Sequence, residues 1–120
     1  MKNYTILYNK ENIPIIIANT YISLSEVKDK IIKDLKKINY KGIIYFDNLL
    51  SNGNNFNRFS SACFDGKIFS NFKLVNKEII NKKFENILID FYFLNYEKYV
   101  KNSNIISSAL KFRIRKKLEI

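Results

Sequence analysis

The sequence predicts an α+β fold: a single domain over residues 1–120, with an antiparallel sheet of about 4–6 strands and two to three helices packed on it. Three observations carry that reading. Short β-branched and aromatic runs bounded by turn residues recur along the chain. The segment behind Ser23 places apolar residues at helical spacing after a capping signal. Asp65-Gly66, a strong hairpin signal, separates two strand-like runs. With 120 residues, 47% of them apolar and 15% aromatic, the chain can bury a core. Its 3 Gly and 1 Pro act as local punctuation, and neither a linker nor an internal repeat is visible.

The elements follow in order. Tyr4 to Tyr8 alternates loosely and reads as a strand, and Asn9-Lys10-Glu11-Asn12 reads as a turn. Ile13 to Ala18 is apolar and β-branched, a second strand closing an N-terminal hairpin; Pro14 is tolerated near a strand start, more easily on an edge. Ser23 with Glu26 fits a capping box, and Leu24, Val27, Ile31, Leu35 and Ile38 form the apolar stripe of an amphipathic helix ending near Asn39. Gly42 stands as its stop signal and leads into the short buried strand Ile43-Ile44-Tyr45-Phe46. Arg58 to Phe64 and Lys67 to Val75 flank the Asp65-Gly66 turn as paired strands, with Ile68, Phe72 and Leu74 expected inward. Asn76 is a fair N-cap for a helix with Ile79, Ile80, Phe84, Ile87 and Leu88 on one stripe. Ile87 to Leu94 fits either an extension of that helix or a buried strand, because periodicity does not separate the two. Asn95 to Val100 suggests a short helix. Ile106, Leu110, Ile114 and Leu118 suggest a C-terminal one, although Lys111 to Arg115 also alternates like a strand.

Composition excludes several chemistries. With no His, the chain cannot build a Ser–His–Asp or Cys–His machine or a His-ligated zinc site, and one Cys makes neither a thiolate cage nor an intrachain disulfide. The formal charge is +10. Lys outnumbers Arg 18 to 3, and Ile, Lys, Asn, Phe and Tyr together make up 73 of the 120 residues. All five have AT-rich codons, so genome composition by itself produces this pattern, while the charge still attracts anions in a salt-dependent way. No long apolar run stands at the N-terminus, and the densest apolar stretch is too short to span a bilayer. A soluble cytoplasmic protein is therefore expected.

Four constellations bear on chemistry. Asp47 with Asp65-Gly66-Lys67 has the residue types of a metal-dependent nuclease, in which paired carboxylates hold Mg²⁺ and a Lys assists the attacking water; the competing reading makes Asp65-Gly66 a plain turn. The Asn-rich stretch with Asn52, Gly53, Asn54, Asn55, Phe56, Asn57, Arg58 and Phe59 is either a recognition loop or one that satisfies its own backbone, with Arg58 able to pair with Asp47. Lys111, Arg113, Arg115, Lys116 and Lys117 form a basic C-terminus, a secondary surface for RNA or an acidic protein, or simply a solvated face. Cys63 reads as a buried, inert thiol.

The run Phe46-Asp47-x-Leu49-Leu50-x-Asn52-Gly53-x-x-x-Asn57-Arg58-Phe59, with Gly42 four residues upstream, resembles the central signature of the RnlB family, the antitoxins of the RNase LS (RnlA/RnlB) toxin–antitoxin system. Asp65-Gly66-Lys67-Ile68 and the later Asn95-x-x-x-Tyr99-Val100-x-x-Ser103-x-Ile105 extend the resemblance, and the length agrees. The resemblance implies a non-enzymatic protein without cofactors that binds an RnlA-like endoribonuclease toxin of the HEPN class and suppresses its RNA cleavage in defence against phage. Asn52, Gly53, Phe56, Asn57, Arg58 and Phe59 are then candidate partner-binding residues, with Phe56, Arg58 and Phe59 of the type that anchors interfaces. A mimic of RNA would be acidic. The +10 of this chain points instead to steric blocking or to binding away from the catalytic groove.

Overall fold

Strands and helices alternate in chain order as β1 (Tyr4–Tyr8), β2 (Pro14–Ala18), α1 (Leu24–Lys37), β3 (Gly42–Phe46), β4 (Phe59–Phe64), β5 (Phe69–Val75) and α2 (Lys77–Leu94). The structure is a computed structural model and describes residues 3–18, 22–47 and 59–94. The five strands form one sheet in the order β1-β2-β3-β4-β5. The expected α+β class is present, with two helices against the sheet.

The β1–β2 hairpin is closed by Asn9. Its buried carboxamide oxygen accepts the backbone N–H groups of Glu11 and Ile13, both at 2.9 Å, and Asn12 takes φ 61°. This is the Asx chemistry that lets a turn satisfy its own amides. Pro14 stands at the first position of β2, opposite Tyr8. The expected preference for an edge is not needed, because β3 registers only with Ile15 and Ile16.

Between β2 and β3 the chain crosses over as α1, so these two strands run parallel while the other three pairings are antiparallel. A helical crossover returns the chain to the end where the first strand began, and a parallel neighbour is what results. At the N-terminus of α1 the Glu26 carboxylate accepts the Ser23 backbone N–H at 3.0 Å and the Ser23 hydroxyl at 3.2 Å, the reciprocal half of the predicted capping box. The helix closes at Asn39, as expected, ahead of Gly42. Asn39 takes φ 55°, its N–H donates to the Lys36 carbonyl, and the Tyr40 N–H reaches back to the Leu35 carbonyl at 3.0 Å. That pair of bonds is a Schellman closure, with Asn rather than Gly supplying the left-handed residue. Gly42 already belongs to β3.

Side-chain alternation sorts the sheet into two faces. Leu24, Val27, Ile31 and Leu35 of α1 pack on Tyr4, Ile16, Ala18, Ile44, Phe46, Ala62, Phe64 and Phe69. The Tyr4 hydroxyl also donates to the Asp34 carboxylate, tying α1 to the edge strand. Burial, followed by this bond to a carboxylate, pushes the Tyr4 phenol well above its ordinary pKa. On the opposite face α2 buries Ile80, Phe84 and Leu88, with the Phe84 ring edge-on to Tyr45 at 5.4 Å. Residues 87–94 extend this helix; they are not a strand. Asn76 caps it, its side-chain oxygen accepting the Glu78 N–H at 2.8 Å. The short helix expected at 95–100 and the C-terminal helix over 106–118 lie outside the described residues.

Leu35 lies at 0% exposure on the seam between α1 and the sheet. Leu35→Ala is expected to lower unfolding free energy by about 2–5 kcal/mol, read from the urea midpoint at unchanged slope.

Candidate partner-binding surface

The signature region is built around the sheet end where β3 finishes and β4 begins. Beyond Phe46, the Asp47 N–H continues the β2–β3 ladder by donating to the Ile16 carbonyl at 3.0 Å. The Asp47 carboxylate turns back and accepts the Ala18 N–H at 2.9 Å, in a site where Asp47 is only 2% exposed. An Asp here does what a longer β3 would otherwise do: it satisfies the last amide of a fully buried strand. On the other side, β4 enters at Phe59 opposite Val75 of β5, and Ser60 sits between Phe46 and Leu74. Ser60 is buried, and among the described residues its hydroxyl has no hydrogen-bond partner.

The nuclease constellation does not assemble. Asp47 follows the Phe46–Ser60 end of the β3–β4 pair, and Asp65 follows the Gly42–Phe64 end. At about 3.3 Å per residue, the length of the strand separates the two acids. Asp65 is exposed and committed to its turn: its Oδ1 accepts the Lys67 N–H at 2.8 Å and the Ile68 N–H at 2.9 Å, with Gly66 at φ 99° between them. These amides, that of Ile68 first, hold the Asp65 carboxyl below its ordinary 3.8. Among the described residues, no group of three His, Cys, Asp or Glu side chains could hold a metal.

Strand β5 departs from the expected pattern. Ile68, Phe72 and Leu74 are not buried but 59%, 45% and 72% exposed, while Phe69 is the buried residue. β5 also carries a bulge. Cys63 pairs with Ser70 and Ser61 with Lys73, so one extra β5 residue is accommodated there, and Asn71 adopts φ 54°. Ile68 falls in the turn before the strand. Past the bulge, Phe72 and Leu74 return to the α1 side of the sheet, with the Phe72 ring 6.1 Å from buried Phe46, yet they remain open to solvent. On the other face Cys63 is exposed beside Ile43, itself 40% exposed, so the expected burial of this thiol does not hold. Among the described residues, β5 is thus the last strand of the sheet and most of its side chains are exposed.

Among the predicted partner-binding residues, Phe59 is placed, and it is a core side chain at 3% exposure rather than a surface anchor. Asn52, Gly53, Phe56, Asn57 and Arg58, the possible Arg58–Asp47 pair, and the basic group Lys111, Arg113, Arg115, Lys116 and Lys117 lie outside the described residues. Sequence reasoning missed the open edge of β5; an Asn inside a strand run was the available sign of a bulge. It also missed a cleft of about 600 Å³ between the β1–β2 turn and α2, where Lys10, Lys82 and Lys83 surround Phe84 and Ile87. No helix among the described residues is long and apolar enough to cross a membrane.

The described residues form a sheet packed between two helices, with exposed apolar side chains on β5, and comparison with known proteins supplies the class. Residues 13–106 match the family described as antitoxin to bacterial toxin RNase LS or RnlA. The chain belongs to this RnlB antitoxin family. It is also 33% identical over 108 residues to antitoxin LsoB of Escherichia coli O157:H7, covering 88% of this chain and 84% of that protein. The signature from Gly42 to Phe59 falls wholly within the matched residues. No solved structure matches the chain.

Two outcomes are expected. Asp47→Ala leaves the buried Ala18 amide without this acceptor and lowers stability by about 1–3 kcal/mol in chemical denaturation. Asp65 titrates below 3.8 by NMR. Because its folded pKa is depressed, its stabilisation of the hairpin is present above that ordinary value and is lost as pH falls through the folded one. Amide exchange at Lys67 and Ile68 accelerates over the same interval.

Proposed function

We propose that this chain is the antitoxin of a two-component pair, acting without catalysis or cofactor by binding and neutralising an RnlA-like endoribonuclease toxin of the HEPN class in the cytoplasm. The family match over residues 13–106 carries the reading. The +10 charge favours a partner with acidic surface and argues against imitation of RNA, so inhibition proceeds by steric blocking or by binding away from the catalytic groove. The pair would serve in defence against phage: when the antitoxin is lost, the freed toxin degrades mRNA. Asn52, Gly53, Phe56, Asn57 and Arg58 are proposed as toxin contacts, supported by their place in the signature. The C-terminal Lys111, Arg113, Arg115, Lys116 and Lys117 are proposed as a secondary basic surface.

Co-expression tests the reading. A toxin encoded beside this chain, bearing an Arg-x₄-His motif, should arrest growth alone and be silenced by the chain. Arg58→Ala or Phe56→Ala should weaken silencing with unchanged thermal unfolding; if neither does, the contact lies elsewhere. RNA binding with a steep salt slope and no rescue of growth would favour the nucleic-acid reading instead.

A further inference from the structure

The open edge of β5 calls for an occupant. Phe72 and Leu74 project on the side of the sheet that α1 packs against, but at 45% and 72% exposure they are not covered. Among the described residues β5 ends the sheet, and exposed apolar side chains on such an edge strand invite association. Two further features narrow the partner. Basic groups flank the edge: Lys67 and Lys41 stand at its turn end, the Lys41 side chain 3.0 Å from where a Gly66 Cβ would be, and exposed Lys73 lies between Phe72 and Leu74 in the strand. The edge also adjoins the family signature, since Leu74 pairs with Ser60 and Val75 with Phe59, the last signature residue.

We infer that β5, through Phe72 and Leu74, is a docking edge for the toxin, which meets it with an apolar surface rimmed by acidic groups. The inference rests on the antitoxin reading and deepens it by naming the surface. A second copy of this chain is the less suitable occupant, because each copy carries +10 and like charge opposes self-association. The toxin bound at this edge would lie beside the strand that Phe59, the last signature residue, begins.

The test uses the full chain and the toxin identified by growth rescue. Leu74→Glu replaces a side chain at 72% exposure and should leave thermal unfolding nearly unchanged; Phe72→Ser also removes a ring beside Phe46 and Phe69, so its binding is measured at a temperature where it remains folded. Each is expected to weaken toxin binding in calorimetry by about tenfold or more, as loss of a central apolar anchor does. Ile79→Ser on α2, also exposed, should bind as the parent does. A Leu74→Glu chain that binds and neutralises like the parent overturns the docking edge while leaving the antitoxin reading intact. A parent chain that binds no toxin overturns both. A parent dimer in sedimentation that Leu74→Glu dissolves, with toxin binding retained, assigns the edge to self-association and likewise overturns the inference.

Discussion

Strand β2 is buried along its whole length, from Pro14 to Ala18. An apolar strand with both faces hidden must be covered by a layer on each side, and the chain supplies α1 on one face and α2 on the other. The helix that covers the first face is also the connection to β3, which makes the β2–β3 pair parallel. β3 stops short of the end of β2, so the Ala18 amide needs another partner. The Asp47 carboxylate meets that need at 2.9 Å. One buried acid therefore belongs to the same requirement as the isoleucines, and a residue that resembles a metal ligand in the sequence is part of the scaffold.

The two edges of the sheet are treated unequally. β1 has Tyr4 in the core and bonded to Asp34 of α1. β5 has a bulge, a left-handed Asn and exposed apolar side chains. Burial extends from β2 through most of β4, and the exposed apolar side chains of the sheet gather on β5.

Much of this was legible in the sequence because local chemistry and tertiary demand coincide. The α1 stripe, the Ser23–Glu26 cap, the Asp65-Gly66 turn and the N-terminal hairpin each carry their own signal. The parallel pairing was not legible, since strand direction depends on where α1 returns the chain and not on any residue in β3. The exposure of Phe72 and Leu74 was missed because alternation assigns a face and not its cover: past the bulge at Asn71 both stand on the α1 side, yet at 45% and 72% exposure. Cys63 was expected inside from its place between Ala62 and Phe64 in a strand and from the absence of an activating His, whereas it shares an open face with Ile43. At the site, the signature named a region correctly as part of the family, but within it Phe59 serves the core and Asp47 the ladder. Residue type alone does not separate such duties from contact.

The residues other than glycine with positive φ are Asn12, Asn39 and Asn71, among those described. Left-handed backbone costs an ordinary L residue about 1–2 kcal/mol, less for Asn, whose carboxamide can bond locally. Glycine would avoid that strain, but it would also enlarge the freedom of the unfolded chain by about 0.4–1 kcal/mol per site. A chain with 3 Gly and 17 Asn has exchanged one term for the other. Its turns are slightly strained when folded and slightly less entropic when not, and the two effects offset closely enough that a composition shaped by codon usage can still close a turn, end a helix and kink a strand.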